Sequence, residues 1–190
     1  MLTTNGEQAE VLLQTPDSLT ALDPATGEKR WSWQAKELAT IPSPVPAKGM
    51  ILVPGAELTA LRPRADLATP EVVWSNNRLR PATASALYYR DRVYSLNSPG
   101  ILVCADAATG EVRWQERLKG PFSASPVAAD GKLYAVNEKG LAEVVQLGDK
   151  PEVLATNALD ETILASPAIS GGAIFLRSDK HLWCIAEKGK

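Results

Sequence analysis

Histidine occurs once in the 190 residues, at His181, and cysteine twice, at Cys104 and Cys184. One imidazole excludes any site that needs two. Two thiols are too few for a disulfide framework, and they stand in no metal-ligand spacing. An excess of positive charge is also missing. The net charge is −2 and no basic run is longer than a pair, so a nucleic-acid backbone meets no electrostatic footprint. Uninterrupted apolar runs extend over only a few residues, so no transmembrane segment is expected. The opening MLTTNGEQAEV has neither the basic nor the apolar region of a signal peptide, and none is expected in this chain.

What the chain does have is a repeat. A short strand signal introduced by serine recurs as SPVPAKGMILV from Ser43, SALYYRDRVYSL from Ser85, SPVAADGKLYAV from Ser125 and SPAISGGAIFLR from Ser166, at intervals of 42, 40 and 41 residues. Trp31, Trp74 and Trp114 keep the same step, and Leu154 takes the next slot. The apolar stretches Leu19–Leu22, Leu58–Leu61, Leu102–Ala105 and Leu182–Ile185 form a third marker. Each unit holds four stretches of β-branched, aromatic and leucine residues separated by Gly- or Asp-bearing turns, a pattern that suits antiparallel hairpins. Four short strands every ~41 residues is the signature of a β-propeller blade.

The expected fold class is therefore all-β: one partial propeller over residues 1–190, with about 4.5 four-stranded antiparallel blades of ~41 residues. Blade 1 spans 9–40 and is partial, blade 2 spans 41–80, blade 3 81–120, blade 4 121–161, and blade 5 162–190 without its fourth strand. AEVLLQT at 9–15 reads as the second strand of a blade whose first strand is absent. Since propellers close with roughly 4–8 blades and the end units read as incomplete, the chain is expected to be most of the C-terminal half of a larger ring. Its open ends, with side chains such as Trp31 exposed, would associate with missing blades or a second chain.

Two stretches share one motif: LDPATGEKRW ends at Trp31 and ADAATGEVRW at Trp114. Asp23 and Asp106 could be catalytic or metal-binding, or they could cap a turn by accepting backbone N–H groups two or three residues on. Repetition favours the cap, because a catalytic constellation is assembled once from unlike residues. Gly27 and Gly110 then supply the positive φ that ends the turn. Trp31, Trp74 and Trp114 supply flat apolar faces that wedge between neighbouring sheets.

The pattern Ala-x-Asp-x-x-Thr-Gly-x-x-x-Trp resembles the tryptophan-docking motif of pyrroloquinoline-quinone-type (PQQ-like) propellers, a resemblance that implies a 7–8-bladed ring. The expected docking residues are Asp23, Thr26, Gly27, Trp31, Trp74, Asp106, Thr109, Gly110 and Trp114. Blade 2 departs from the pattern, with Arg62 in place of Asp and ADLATP in place of the Thr-Gly turn. Blade 4 turns through LGDKP instead. The closing run ASPAISGGAIFLRSDKHLWCIAEK resembles the C-terminal end of bacterial exported proteins with this propeller.

The remaining candidates have modest readings. Cys104 and Cys184 occupy one slot in blades 3 and 5, too far apart for a disulfide, and read as small core hydrophobes. His181 reads as a rim residue. Trp33 and Trp183 lie off the docking slot. Tyr88, Tyr89 and Arg90 form an aromatic-basic cluster at a blade turn, and Arg62 and Arg64 sit in a solvated one.

The resemblance implies a non-catalytic scaffold, similar to the propeller of the outer-membrane protein assembly lipoprotein family. It would bind protein or peptide partners through its rim and need no cofactor, and the full-length protein would be periplasmic or exported. The alternatives are part of a quinoprotein dehydrogenase, with PQQ and calcium over a central channel, or a sensor propeller fused to a signalling enzyme. The enzyme reading needs a vicinal cysteine pair and a carboxylate-rich calcium site, and neither is visible in the sequence.

Overall fold

Some strands alternate buried and half-exposed side chains, while the middle strands of the second and third sheets are apolar and buried at successive positions. In Ser18–Leu22, for example, Leu19 and Ala21 are buried while Ser18 and Thr20 are half-exposed. The computed structural model describes residues 2–5, 8–64 and 67–187. Nineteen strands form five antiparallel sheets among these residues. The first holds β1 (Leu2–Asn5), β2 (Gln8–Gln14), β3 (Ser18–Leu22) and β4 (Lys29–Gln34). The second holds β5 (Val45–Ala47), β6 (Met50–Pro54), β7 (Leu58–Arg62) and β8 (Glu71–Asn76). The third holds β9 (Leu87–Tyr89), β10 (Arg92–Leu96), β11 (Ile101–Asp106) and β12 (Val112–Arg117). The fourth holds β13 (Val127–Ala129), β14 (Lys132–Val136), β15 (Leu141–Gln146) and β16 (Glu152–Ala158). The fifth has three strands among the described residues: β17 (Ala168–Ser170), β18 (Ala173–Arg177) and β19 (Leu182–Ala186).

Each sheet is an up-and-down meander whose strands pair in sequence order. The chain is thus a β-propeller arc, and among the described residues it does not close into a ring. The hairpins joining the first two strands of sheets 2 to 5 are two-residue turns at Lys48-Gly49, Arg90-Asp91, Asp130-Gly131 and Gly171-Gly172. All eight residues have positive φ. That is the type I′ geometry whose twist matches flanking strands.

Every third strand meets its fourth with a register shift, at Ala21/Leu22, Ala60/Leu61, Cys104/Ala105 and Val144/Val145. The bulge fixes which side chain turns into the space before the next sheet. Trp31 lies opposite Ala21, Trp74 opposite Ala60 and Trp114 opposite Cys104. In sheet 4 the residue opposite Val144 is Ala155, so Ala155 and not Leu154 holds the tryptophan slot. Leu154 instead occupies the bulge position and is exposed. The turn before β16 is one residue longer, which displaces the sequence count by one.

The core lies between sheets. Leu12, Leu19 and Trp31 pack with Ile51 and Leu61 across the first junction, and Leu52 and Trp74 with Val93 and Val103 across the second. Tyr94 and Trp114 pack with Leu133 and Val145 across the third. The fourth junction is thinner, built on Val136, Ile163 and Leu176.

Two expectations are corrected here. The first sheet is not missing its first strand, because Leu2–Asn5 pairs with Gln8–Val11. Nor is Trp31 exposed at an open end. It is 3% exposed between sheets 1 and 2, and exposed apolar residues occur along the whole arc, from Leu13 at 54% and Ile41 at 71% to Leu182 at 73%.

Candidate functional site

Antiparallel pairing sorts the loops onto two ends of the arc. One end carries the type I′ hairpins and the turns between third and fourth strands. The other carries the turns between second and third strands and the crossings from one sheet to the next.

At the first end, Asp23 Oδ1 accepts from the backbone N–H groups of Ala25 (2.7 Å) and Thr26 (3.1 Å), and Asp106 Oδ1 accepts from those of Ala108 (3.0 Å) and Thr109 (3.2 Å). The hydroxyls of Thr26 and Thr109 accept the N–H of Glu28 and Glu111, both at 3.2 Å. Arg30 reaches Asp23 at 2.5 Å and Arg113 reaches Asp106 at 3.2 Å. The Arg30 hydrogen bond, with the Ala25 and Thr26 N–H groups, holds the Asp23 carboxyl below its usual range. For Asp106, partial burial pulls upward, but Arg113 and the Ala108 and Thr109 N–H groups outweigh it and the net direction is down. Both carboxylates are fully engaged within their own turns. Gly27 and Gly110 stand at φ +74° and +71°.

Each tryptophan finds a different acceptor. Trp74 Nε1 donates to the Ala107 carbonyl of the next sheet's turn at 2.9 Å, and Trp114 Nε1 to the Gly148 carbonyl at 3.0 Å. The turn after β7 lacks the Thr-Gly form, and there Trp31 turns back to its own sheet. It donates to the buried carboxylate of Glu10 at 3.2 Å, while Ser32 N–H donates to the Ala68 carbonyl at 3.1 Å. The Trp74 ring lies against Gly110, where a Cβ would stand 2.6 Å from it. At Gly27 a Cβ would meet nothing within 4 Å.

The aromatic-basic cluster is tied across three sheets at the same end. Asp91 accepts from Lys48 Nζ and from the Tyr88 hydroxyl, both at 3.0 Å, and the Tyr89 hydroxyl accepts the Gly131 N–H at 2.9 Å. The Arg90 guanidinium lies over the Tyr89 ring at 5.1 Å. Arg62 stands 4.0 Å from Glu71 in the altered turn.

At the opposite end the serines that mark the repeat join one sheet to the next. The N–H of Ser43 donates to Ser85 Oγ (2.9 Å), that of Ser85 to Ser125 Oγ (2.9 Å) and that of Ser125 to Ser166 Oγ (3.0 Å). His181 lies at this end too. Its Nδ1 is 2.8 Å from Glu161, which also accepts from Ser178 (2.5 Å) and Trp183 (3.3 Å). Those hydrogen bonds, Ser178 first, hold the Glu161 carboxyl below its usual range.

This end also holds an open groove with mixed polar and apolar walls. One part, of about 510 Å³, is lined by Glu37, Gly55, Asn77, Arg78, Arg80 and Asn97. A second, of about 400 Å³, shares Gly55 and Asn77 and adds Trp33, Lys36 and Glu57. A short 3-10 turn at Asn77–Leu79 shapes its wall. Asn76 caps the turn by accepting the Arg78 N–H at 2.9 Å. Leu79 is fully buried and its carbonyl accepts the Ser95 hydroxyl at 2.8 Å. The buried leucine pegs the turn, so the flanking arginines stay at the surface. The Arg78 guanidinium donates to Gln115 Oε1 at 3.4 Å, and among the described residues neither arginine pairs with a carboxylate. Sequence reasoning passed over this pair; the available signal was a single leucine between two arginines in an otherwise polar crossing.

Cys104 and Cys184 are free, on β11 and β19. Cys104 is buried, whereas Cys184 is exposed and so is not the core hydrophobe expected from its slot. Among the described residues no three His, Cys, Asp or Glu side chains gather as metal ligands. No helix among those residues is long and apolar enough to cross a membrane.

Residues 64–149 match the family described as outer membrane protein assembly factor BamB. The crystal structure of BamB from Moraxella catarrhalis superposes with a TM-score of 0.73 at 15% identity, over 93% of this chain and 53% of that one. The computationally designed Ika8 protein gives a TM-score of 0.72 at 11% identity, over 97% of this chain and 57% of that one. The chain thus spans little more than half the length of the solved structures it matches. No curated protein matches it by sequence.

Proposed function

We propose that this propeller arc is a non-catalytic scaffold that holds protein partners in the bacterial cell envelope, as part of outer-membrane protein assembly. The observation that carries the reading is the groove around Arg78 and Arg80. Two guanidiniums that pair with no carboxylate among the described residues flank the buried Leu79, which suits bidentate capture of carboxylates on a polypeptide. The match of residues 64–149, which include both arginines, to an assembly factor gives the reading its context. At the opposite end Asp23 and Asp106 are closed within their own turns. The nine docking residues, Asp23 through Trp114, are accordingly assigned to holding sheet on sheet.

The test replaces both arginines in the protein as it occurs in the cell. Arg78→Glu with Arg80→Glu is expected to lower the amount of folded outer-membrane β-barrel protein severalfold while the variant itself accumulates normally. A Lys48→Glu control at the other end is expected to change nothing. Unchanged barrel levels in the double variant would overturn the reading.

A further inference from the structure

We propose that the space between the fourth and fifth sheets is a binding site for a free planar aromatic molecule of indole size. The chain itself shows what such a space accepts. At the first three junctions an indole projects from the fourth strand, opposite a small residue and next to the bulge. Each ring is almost completely buried and each ring N–H reaches an oxygen, on Glu10, Ala107 or Gly148. At the fourth junction the same register puts Ala155 in that place.

A cleft of about 310 Å³ lies on this face, lined in part by Tyr134, Val136, Val144, Asn157, Leu176 and Ile185. Val144 is opposite Ala155 and Ala142 is opposite Asn157, so the cleft and the vacant slot share one side of sheet 4. Its walls are mainly apolar, with the Asn157 amide as an acceptor for a ring N–H. An apolar cavity of about 150 Å³ already suffices for benzene, so a bicyclic ring fits here.

The sheets do not close over the gap because their separation is set elsewhere. Ser125 N–H donates to Ser166 Oγ at 3.0 Å, Leu159 N–H to the Gly140 carbonyl at 3.0 Å and Ile163 N–H to the Glu138 carbonyl at 3.3 Å. These bonds tie the crossing between the two sheets at one end. A slot between facing sheets is flat, which favours a planar ring over a branched aliphatic of equal volume.

The experiment titrates the purified chain with indole and follows methyl resonances by NMR. Saturable shifts are expected at Val136, Val144, Leu176 and Ile185, and not at Leu52 or Val103 in the filled second junction. Ala155→Trp, which returns an indole to the slot, is expected to weaken binding at least tenfold. If that variant fails to fold, Val144→Phe, which narrows the cleft from the facing strand, is expected to do the same. Absence of saturable binding to the unaltered chain would overturn the proposal, as would equal binding by a folded filled variant. A capped Gly-Trp-Gly peptide that binds as tightly as indole would also overturn it, by showing that the site takes a side chain of a polypeptide.

Discussion

Gly27 and Gly110 end two copies of one turn, at nearly the same positive φ, yet only one of them touches a neighbour. A methyl group at Gly110 would sit 2.6 Å from the Trp74 ring, while at Gly27 it would meet open space. Gly110→Ala is therefore expected to cost about 2–4 kcal/mol, combining left-handed backbone strain with a clash in a packed junction. Gly27→Ala carries the backbone term alone, about 1 kcal/mol. Urea unfolding of both variants checks the difference, and equal losses would show that the ring does not rest on Gly110. The motif was legible in the sequence, since Asp, Thr and Gly at this spacing have few other uses. What was not legible was which copy is in contact with a ring, because that depends on the preceding sheet.

At the scale of elements, the turn around Asp106 makes the clearest prediction. Its carboxyl is held below the value of an unfolded chain, so the charged form stabilises the fold. That contribution is fully present above the unfolded carboxylate pKa, near 4, and is lost as pH falls through the lower folded value. Asp106→Asn keeps an oxygen for the two N–H groups but loses the charge on Arg113. Stability of this variant is expected to fall less between pH 5 and pH 3 than that of the unaltered chain. Asp106→Ala also orphans the N–H groups and is expected to cost about 1 kcal/mol at pH 7. Thermal unfolding across pH checks both, and parallel pH profiles for Asp106→Asn and the unaltered chain would contradict the assignment.

Elements are also where sequence and structure part company. Period and turn chemistry locate the hairpins and most strands, because β-rich stretches between Gly and Asp turns have little choice of partner. The strand Leu2–Asn5 carries one strongly apolar residue in LTTN, and its place comes from pairing with Gln8–Val11. The tryptophan slot of sheet 4 slipped from Leu154 to Ala155 because counting residues is blind to a longer turn. The groove was the least legible feature, since its residues come from separate crossings and second-to-third-strand turns that only the stacking of sheets brings together.

For the whole molecule, the two ends of the arc divide the work. Hairpins, capped turns and the Trp31, Trp74 and Trp114 rings lie toward one end, while the serine bridges and the groove share the other. A scaffold reading requires that partners meet the groove end. The most direct measurement places a photo-cross-linking amino acid at Asn77, beside Arg78, or at Asp130, in the opposite hairpin, in the protein as it exists in its own living cells. The account predicts adducts with a discrete envelope protein from position 77, lost when Arg78 and Arg80 are changed to glutamate, and none from position 130. Adducts from position 130 with none from position 77 would contradict it.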